Sequence, residues 1–109
     1  MDINDIEKAI LGSCLVYRLS TSYVMRYCDL QSFTNPAHRT IYKAMYDTFW
    51  DDEVDPSTVA KWLKDSGNLE KVGGTKYLTE LMEKAATPHG LPNYVKEFNN
   101  RKDKKGERQ

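Results

Sequence analysis

The sequence predicts an all-α fold, a compact bundle of about six short helices. Three observations carry this. Apolar residues recur at helical spacing almost throughout, two Asx–Pro pairs (Asn35-Pro36 and Asp55-Pro56) read as helix starts, and no stretch alternates as a half-buried strand would. There is no internal repeat. At 109 residues the chain is close to the usual size of a single domain. Such a chain should bury about 65% of its unfolded surface.

Ile3, Ile6, Ile10, Leu11, Cys14 and Leu15 fall on one side of a first helix from about Asn4 to Tyr17. Gly12 inside it costs ~1 kcal/mol relative to Ala, so it should permit a close helix crossing. Ser20 or Thr21 can cap a short second helix through Tyr27, with Val24 and Cys28 inward. Leu30 and Phe33 anchor an irregular link. Asn35 and Pro36 then start a long third helix to about Trp50, with Ile41, Ala44, Met45, Thr48 and Phe49 inward.

Asp55-Pro56 starts a fourth helix in the same way. Val59, Trp62 or Leu63, and Ser66 line one side, and Gly67 closes it in the left-handed conformation. Leu69 and Val72 pin the connection, and Gly73-Gly74 turns the chain into a fifth helix, Thr75 to Ala86, with core face Leu78, Leu81, Met82 and Ala85. After a loop at 87–90, Pro92 opens a sixth helix with Tyr94, Val95 and Phe98 inward. The domain is expected over 1–100, with 101–109 a charged, disordered tail.

Net charge is zero but unevenly spread: the tail holds five basic and two acidic residues, against eleven and fourteen in 1–100. An acidic body is a poor start for a duplex-DNA binder, which needs a basic face. Weak or no direct DNA binding is expected. No apolar run approaches the ~18–20 residues of a membrane span, and the acidic start MDINDIEK lacks a signal peptide's basic region. Cys14 and Cys28 read as core thiols in a reducing cytosol.

Several features imitate chemistry without supplying it. KVGGTK at 71–76 has the wrong spacing and the wrong Thr-Lys order for a phosphate loop, and no strand precedes it. It reads as a helix-to-helix turn needing glycine dihedrals. His38 lies in the first turn of the third helix without a carboxylate or cysteine at ligand spacing. His89 sits alone in a Pro/Gly loop. Asp51, Asp52, Glu53 and Asp55 read as solvated turn chemistry rather than a magnesium site. No catalytic, metal-binding or cofactor-binding residue is predicted, and no enzyme activity.

The aromatic residues are more informative. Tyr42, Tyr46 and Trp50 recur every four residues on the third helix, offset from its Ile41–Met45–Phe49 face. Either both rows are buried because this helix is central, or the stripe is exposed, as at interface hot spots. Trp62 beside Leu63 raises the same choice. Tyr42, Tyr46, Trp50 and Trp62 are therefore the candidate interface residues.

The order of EKAILG at 7–12, FTNPAHRTI at 33–41, and DPSTV with GNLEKVGGTKYL at 55–59 and 67–78 resembles the N-terminal domain of DnaB-family replicative helicases. The resemblance spans roughly residues 5 to 98. It marks Leu11, Gly12, Phe33, Pro36, His38, Asp55, Gly67, Gly73, Gly74, Tyr77 and Leu78 as structural motif positions. It implies a head domain that packs into a collar above the motor ring and meets helicase subunits, primase or a loader in the cytoplasm. The long apolar hairpin that follows the head in that family is replaced here by NNRKDKKGERQ. A monomer or weak homodimer is therefore expected. Two alternatives stay open: a free-standing phage or mobile-element mimic that regulates or loads a host helicase, and a nucleic-acid-binding helical domain.

Overall fold

The first helix runs through the middle of the protein and most of the others are laid against it. The computed structural model describes residues 2–51 and 53–107, with side chains as far as Arg101. In it α1 (Ile3–Val16) packs against α2 (Arg18–Tyr27), α3 (Pro36–Asp51), α5 (Gly74–Glu83) and α6 (Leu91–Glu107). The remaining helix, α4 (Pro56–Asp65), lies on α3 and α5. Short 3-10 turns sit at Leu30–Ser32 and Glu70–Val72, and the described residues contain no strand.

Every residue from Ala9 to Leu15 is buried, so the second half of α1 is enclosed on all sides. The central helix is α1, not α3. Small residues make this possible. A Cβ at Gly12 would stand 2.0 Å from the Leu81 carbonyl oxygen, so α1 and α5 cross backbone to backbone there. Just beyond that crossing the Ala86 N–H donates to the Ala9 carbonyl at 3.1 Å. This contact draws the chain out of helical geometry, and α5 ends at Glu83 rather than at the expected Ala86.

Ser20 and Thr21 are not caps. The chain passes from α1 into α2 through Tyr17 alone, which places both hydroxyls against α1. Ser13 and Ser20 share a 2.7 Å bond, and Thr21 donates to the Cys14 carbonyl. Buried hydroxyls so placed satisfy each other.

The two Asx–Pro starts behave as the sequence predicts. Asn35 Oδ1 accepts the Ala37 N–H at 2.9 Å. Asp55 and Thr58 form a reciprocal capping box ahead of α4. At the other end of α4, Gly67 takes φ +77°, the Gly67 N–H donates to Lys64, and the Asn68 N–H donates to Leu63 at 2.7 Å. That is a Schellman closure. Val59 and Leu63 are the buried pair of this helix, whereas Ser66 and Trp62 lie outside. Gly73 and Gly74, at φ +109° and +72°, make the turn into α5.

The core runs from Ile6, Ile10 and Leu11 through Ile41, Met45, Leu63 and Leu81 to Val95 and Phe98. Phe33 joins it to α6, its ring 4.7 Å from that of Phe98 and 4.9 Å from that of Tyr42. Met82, Ala85 and Tyr94 are half-buried at its margin, as is Phe49. Helix α6 carries on past Asn100, where the sequence reading ends the domain. The expected disorder of 101–109 concerns residues that, beyond Arg101, lie outside those described by side chain. Among the described residues no helix is long and apolar enough to cross a membrane.

Candidate interaction surfaces and the buried hub beneath them

Three segments meet at His38. Pro36 starts α3 so that His38, in the first turn, faces α1 and is fully buried. Glu7, also fully buried, approaches from α1 with Oε1 2.7 Å from His38 Nδ1. The Gly73-Gly74 turn aims Tyr77 from α5, and its hydroxyl lies 2.6 Å from His38 Nε2.

The carboxylate accepts from two further residues. Glu7 Oε2 accepts the Thr34 N–H at 2.7 Å and the Thr34 hydroxyl at 2.8 Å, and Oε1 also accepts the Asn35 N–H at 3.4 Å. An ionised carboxylate is an acceptor only, so His38 donates to it from Nδ1. Burial pushes the Glu7 pKa up, but the bonds from His38, Thr34 and Asn35 outweigh it and hold it below the usual value.

The sequence reading gave His38 no carboxylate partner, and that is corrected: its partner is Glu7, 31 residues earlier. Carboxylate, imidazole and hydroxyl stand in the order of a nucleophilic triad. Burial nevertheless raises the Tyr77 pKa, with Lys8 opposing in part, which is the reverse of activation. The arrangement fastens α1, α3 and α5 together. Lys8 covers it from outside, 2.8 Å from Glu80 and 5.9 Å from the centre of the Tyr77 ring.

The other imitators of chemistry are also accounted for. Asp55 is committed to its cap and Glu53 pairs with Arg18. Asp51 is exposed, and Asp52 lies outside the described residues. No group of three His, Cys, Asp or Glu side chains among the described residues could hold a metal. His89 is exposed in its loop. Cys14 and Cys28 are buried and form no disulfide, and burial pushes the Cys14 thiol well above its usual range.

The aromatic row on α3 divides. Tyr42 is core: it is 2% exposed and its hydroxyl donates to the Cys28 carbonyl at 2.7 Å. It falls out of the candidate interface because the link at 28–33, with the Phe33 ring, covers α3 there. Further along, α3 outruns its cover, leaving Tyr46 44% and Trp50 67% exposed. The Trp50 ring meets Tyr46 and Phe49 edge-on, at 5.9 and 5.1 Å. Arg18, at the start of α2, pairs with Glu53 just past the end of α3. Val16 and Leu19, on either side of the α1–α2 junction, are exposed as well, and the sequence reading missed both. Their only signal was an apolar pair at a helix junction.

Trp62 is 37% exposed on α4 and faces a separate groove. This cavity of about 380 Å³ is lined by apolar Leu30, Ala44 and Leu63 and by charged Arg39, Lys43 and Asp47.

Comparison with known proteins accounts for this arrangement. A family model for the DnaB-like helicase N-terminal domain matches residues 2–100. The chain belongs to that family. It is 30% identical over 84 residues to the replicative DNA helicase DnaB of Rhodothermus marinus and 32% identical over 82 residues to that of Mycobacterium leprae. Those alignments take in 76% and 74% of this chain but 9% and 14% of the relatives. The chain thus spans roughly a tenth of their length. The crystal structure of the N-terminal domain of DnaB helicase from Mycobacterium tuberculosis superposes with a TM-score of 0.79 at 28% identity, covering 84% of this chain and 65% of that one. The match is to the N-terminal domain of the DnaB family alone, the part without its ATPase motor.

Proposed function

We propose that this chain is a non-catalytic interaction and oligomerisation domain of a replicative DNA helicase. In this reading it acts in the cytoplasm, contributes to the N-terminal collar and meets primase or a helicase loader. The observation that carries the reading is an all-α head of the DnaB family whose core is complete while Tyr46, Trp50 and Trp62 stay outside it. Large aromatic side chains left at a surface are the usual anchors of protein interfaces. The acidic balance of residues 1–100 counts against duplex DNA as the main partner.

The test is co-elution of the domain with its cognate helicase and primase. The domain should co-elute with at least one of them, and Trp50→Ala or Trp62→Ala should weaken the complex. Binding to DNA with a steep salt dependence, and to neither protein, would overturn it.

A further inference from the structure

We propose that the groove between the Leu30–Ser32 turn, α3 and α4 is a docking site for an acidic segment of a partner protein that carries a large apolar side chain. This deepens the interaction reading above and rests on it. The groove has two kinds of wall. Leu30, Ala44, Leu63 and Trp62 supply its apolar lining, in a volume of about 380 Å³. That is the lower range for sites that enclose a ligand group, with room for one large side chain and its backbone.

The second wall fixes the sign of the partner. Lys43 and Asp47 face each other at 3.2 Å and cancel. Arg39 is left as the uncompensated charge. Its Nη1 donates to the Phe33 carbonyl at 2.9 Å, which holds the guanidinium at the groove, and no carboxylate pairs with it among the described residues. The guanidinium retains donors in the fork geometry that matches a carboxylate. The contrast with the rest of the molecule sharpens the point, because residues 1–100 carry fourteen acidic against eleven basic residues. A basic segment would meet repulsion at Arg39 and a carboxylate would not. A phosphate backbone is disfavoured because it is gripped by several cations in a row, and of the two cations at this groove Lys43 is already paired with Asp47.

The experiment is a titration of the isotope-labelled domain, followed by amide and indole NMR shifts. Two synthetic peptides of equal length would be used, Ac-DELWEDA-NH2 and Ac-KRLWKRA-NH2. The acidic peptide should bind at least about tenfold more tightly than the basic one, with shifts centred on Ala44, Leu63 and the Trp62 indole. Lys43→Glu, an exposed change that leaves the core alone, should abolish that preference, and Trp62→Ala should weaken both peptides. Equal binding of the two peptides, an unchanged preference in Lys43→Glu, or shifts centred on Tyr46 and Trp50 would overturn the proposal. So would groove shifts that grow with protein concentration without peptide, since the occupant would then be a second copy of this chain. Co-elution with helicase or primase in the absence of groove binding sinks the groove alone, whereas groove binding without any such co-elution sinks the functional reading alone.

Discussion

Glu7 and His38 share a 2.7 Å hydrogen bond between two fully buried side chains, 31 residues apart in the chain. This bond ties the first turn of α3 to the helix on which the rest of the protein is assembled. Tyr77 extends it to α5 and Thr34 extends it to the link before α3. The start of α3 therefore hangs from a fixed polar joint rather than from apolar packing alone. Such joints are costly to break on one side, because the group left behind is buried without a partner.

The first prediction concerns acid. The Glu7 pKa is lowered in the folded state, so its contribution is complete above the unfolded glutamate value of about 4.3. It is lost as pH falls through the lower, folded value. Urea midpoints measured from about pH 7 down to about pH 3 should fall in that acid range, and Glu7→Gln should remove the Glu7 part of the fall. At neutral pH the same variant should cost roughly 2–3 kcal/mol, as the loss of charged hydrogen bonds does. An acid profile identical in the variant would show that other carboxylates carry the effect.

The second prediction separates two kinds of glycine. Gly12→Ala puts a methyl 2.0 Å from the Leu81 carbonyl oxygen, and neither backbone can give way cheaply. A loss of about 3 kcal/mol or more is expected, at the top of the overpacking range. Gly67→Ala meets open space and suffers only its φ of +77°. That strain should cost about 1–2 kcal/mol. Gly73→Val combines positive φ with contact against the Tyr77 Cβ at 2.8 Å and should also loosen the domain. Chemical denaturation ranks them, and a Gly67 variant worse than the Gly12 variant would refute the crossing argument.

These glycines show which parts of the fold were legible. Gly67, Gly73 and Gly74 each act within a few residues of themselves, as do Asn35-Pro36 and Asp55-Pro56, so their spacing was enough to place the helix ends. The Glu7–His38 joint was not legible, although both residues sit in quoted motifs. Pairing them requires knowing how α1 crosses α3. The centrality of α1 was hidden for a related reason: Ala9, Gly12 and Ser13 are too small or polar to mark a second buried face. Tyr42 and Tyr46 share one spacing, and only the placement of the 28–33 link against α3 puts the first in the core and leaves the second in water.

The third prediction is chemical. The chain should neither bind nor hydrolyse ATP, because the Gly73-Gly74 segment is occupied in turning between Glu70–Val72 and α5. Calorimetry with ATP and magnesium should give no heat beyond dilution. Saturable binding at micromolar nucleotide would contradict it.

The last prediction weighs stability against association along one helix face. Tyr42→Phe removes the buried 2.7 Å bond to the Cys28 carbonyl. It should cost about 1 kcal/mol of stability and leave partner binding unchanged. Trp50→Ala should do the opposite. The residue is 67% exposed and its ring meets Tyr46 and Phe49 among the aromatic rings described, so the melting temperature should scarcely move. Binding to a helicase or primase partner should weaken by about 2 kcal/mol or more, as it does when an interface anchor is truncated. The isolated chain should sediment as a monomer or weak dimer, because the Tyr46–Trp50 edge is small beside the ~1,200–2,000 Å² of a stable interface. Light scattering decides this. A stable hexamer at micromolar concentration would mean that the head alone holds the ring contacts, and the weight placed on Trp50 would pass to a surface not yet identified.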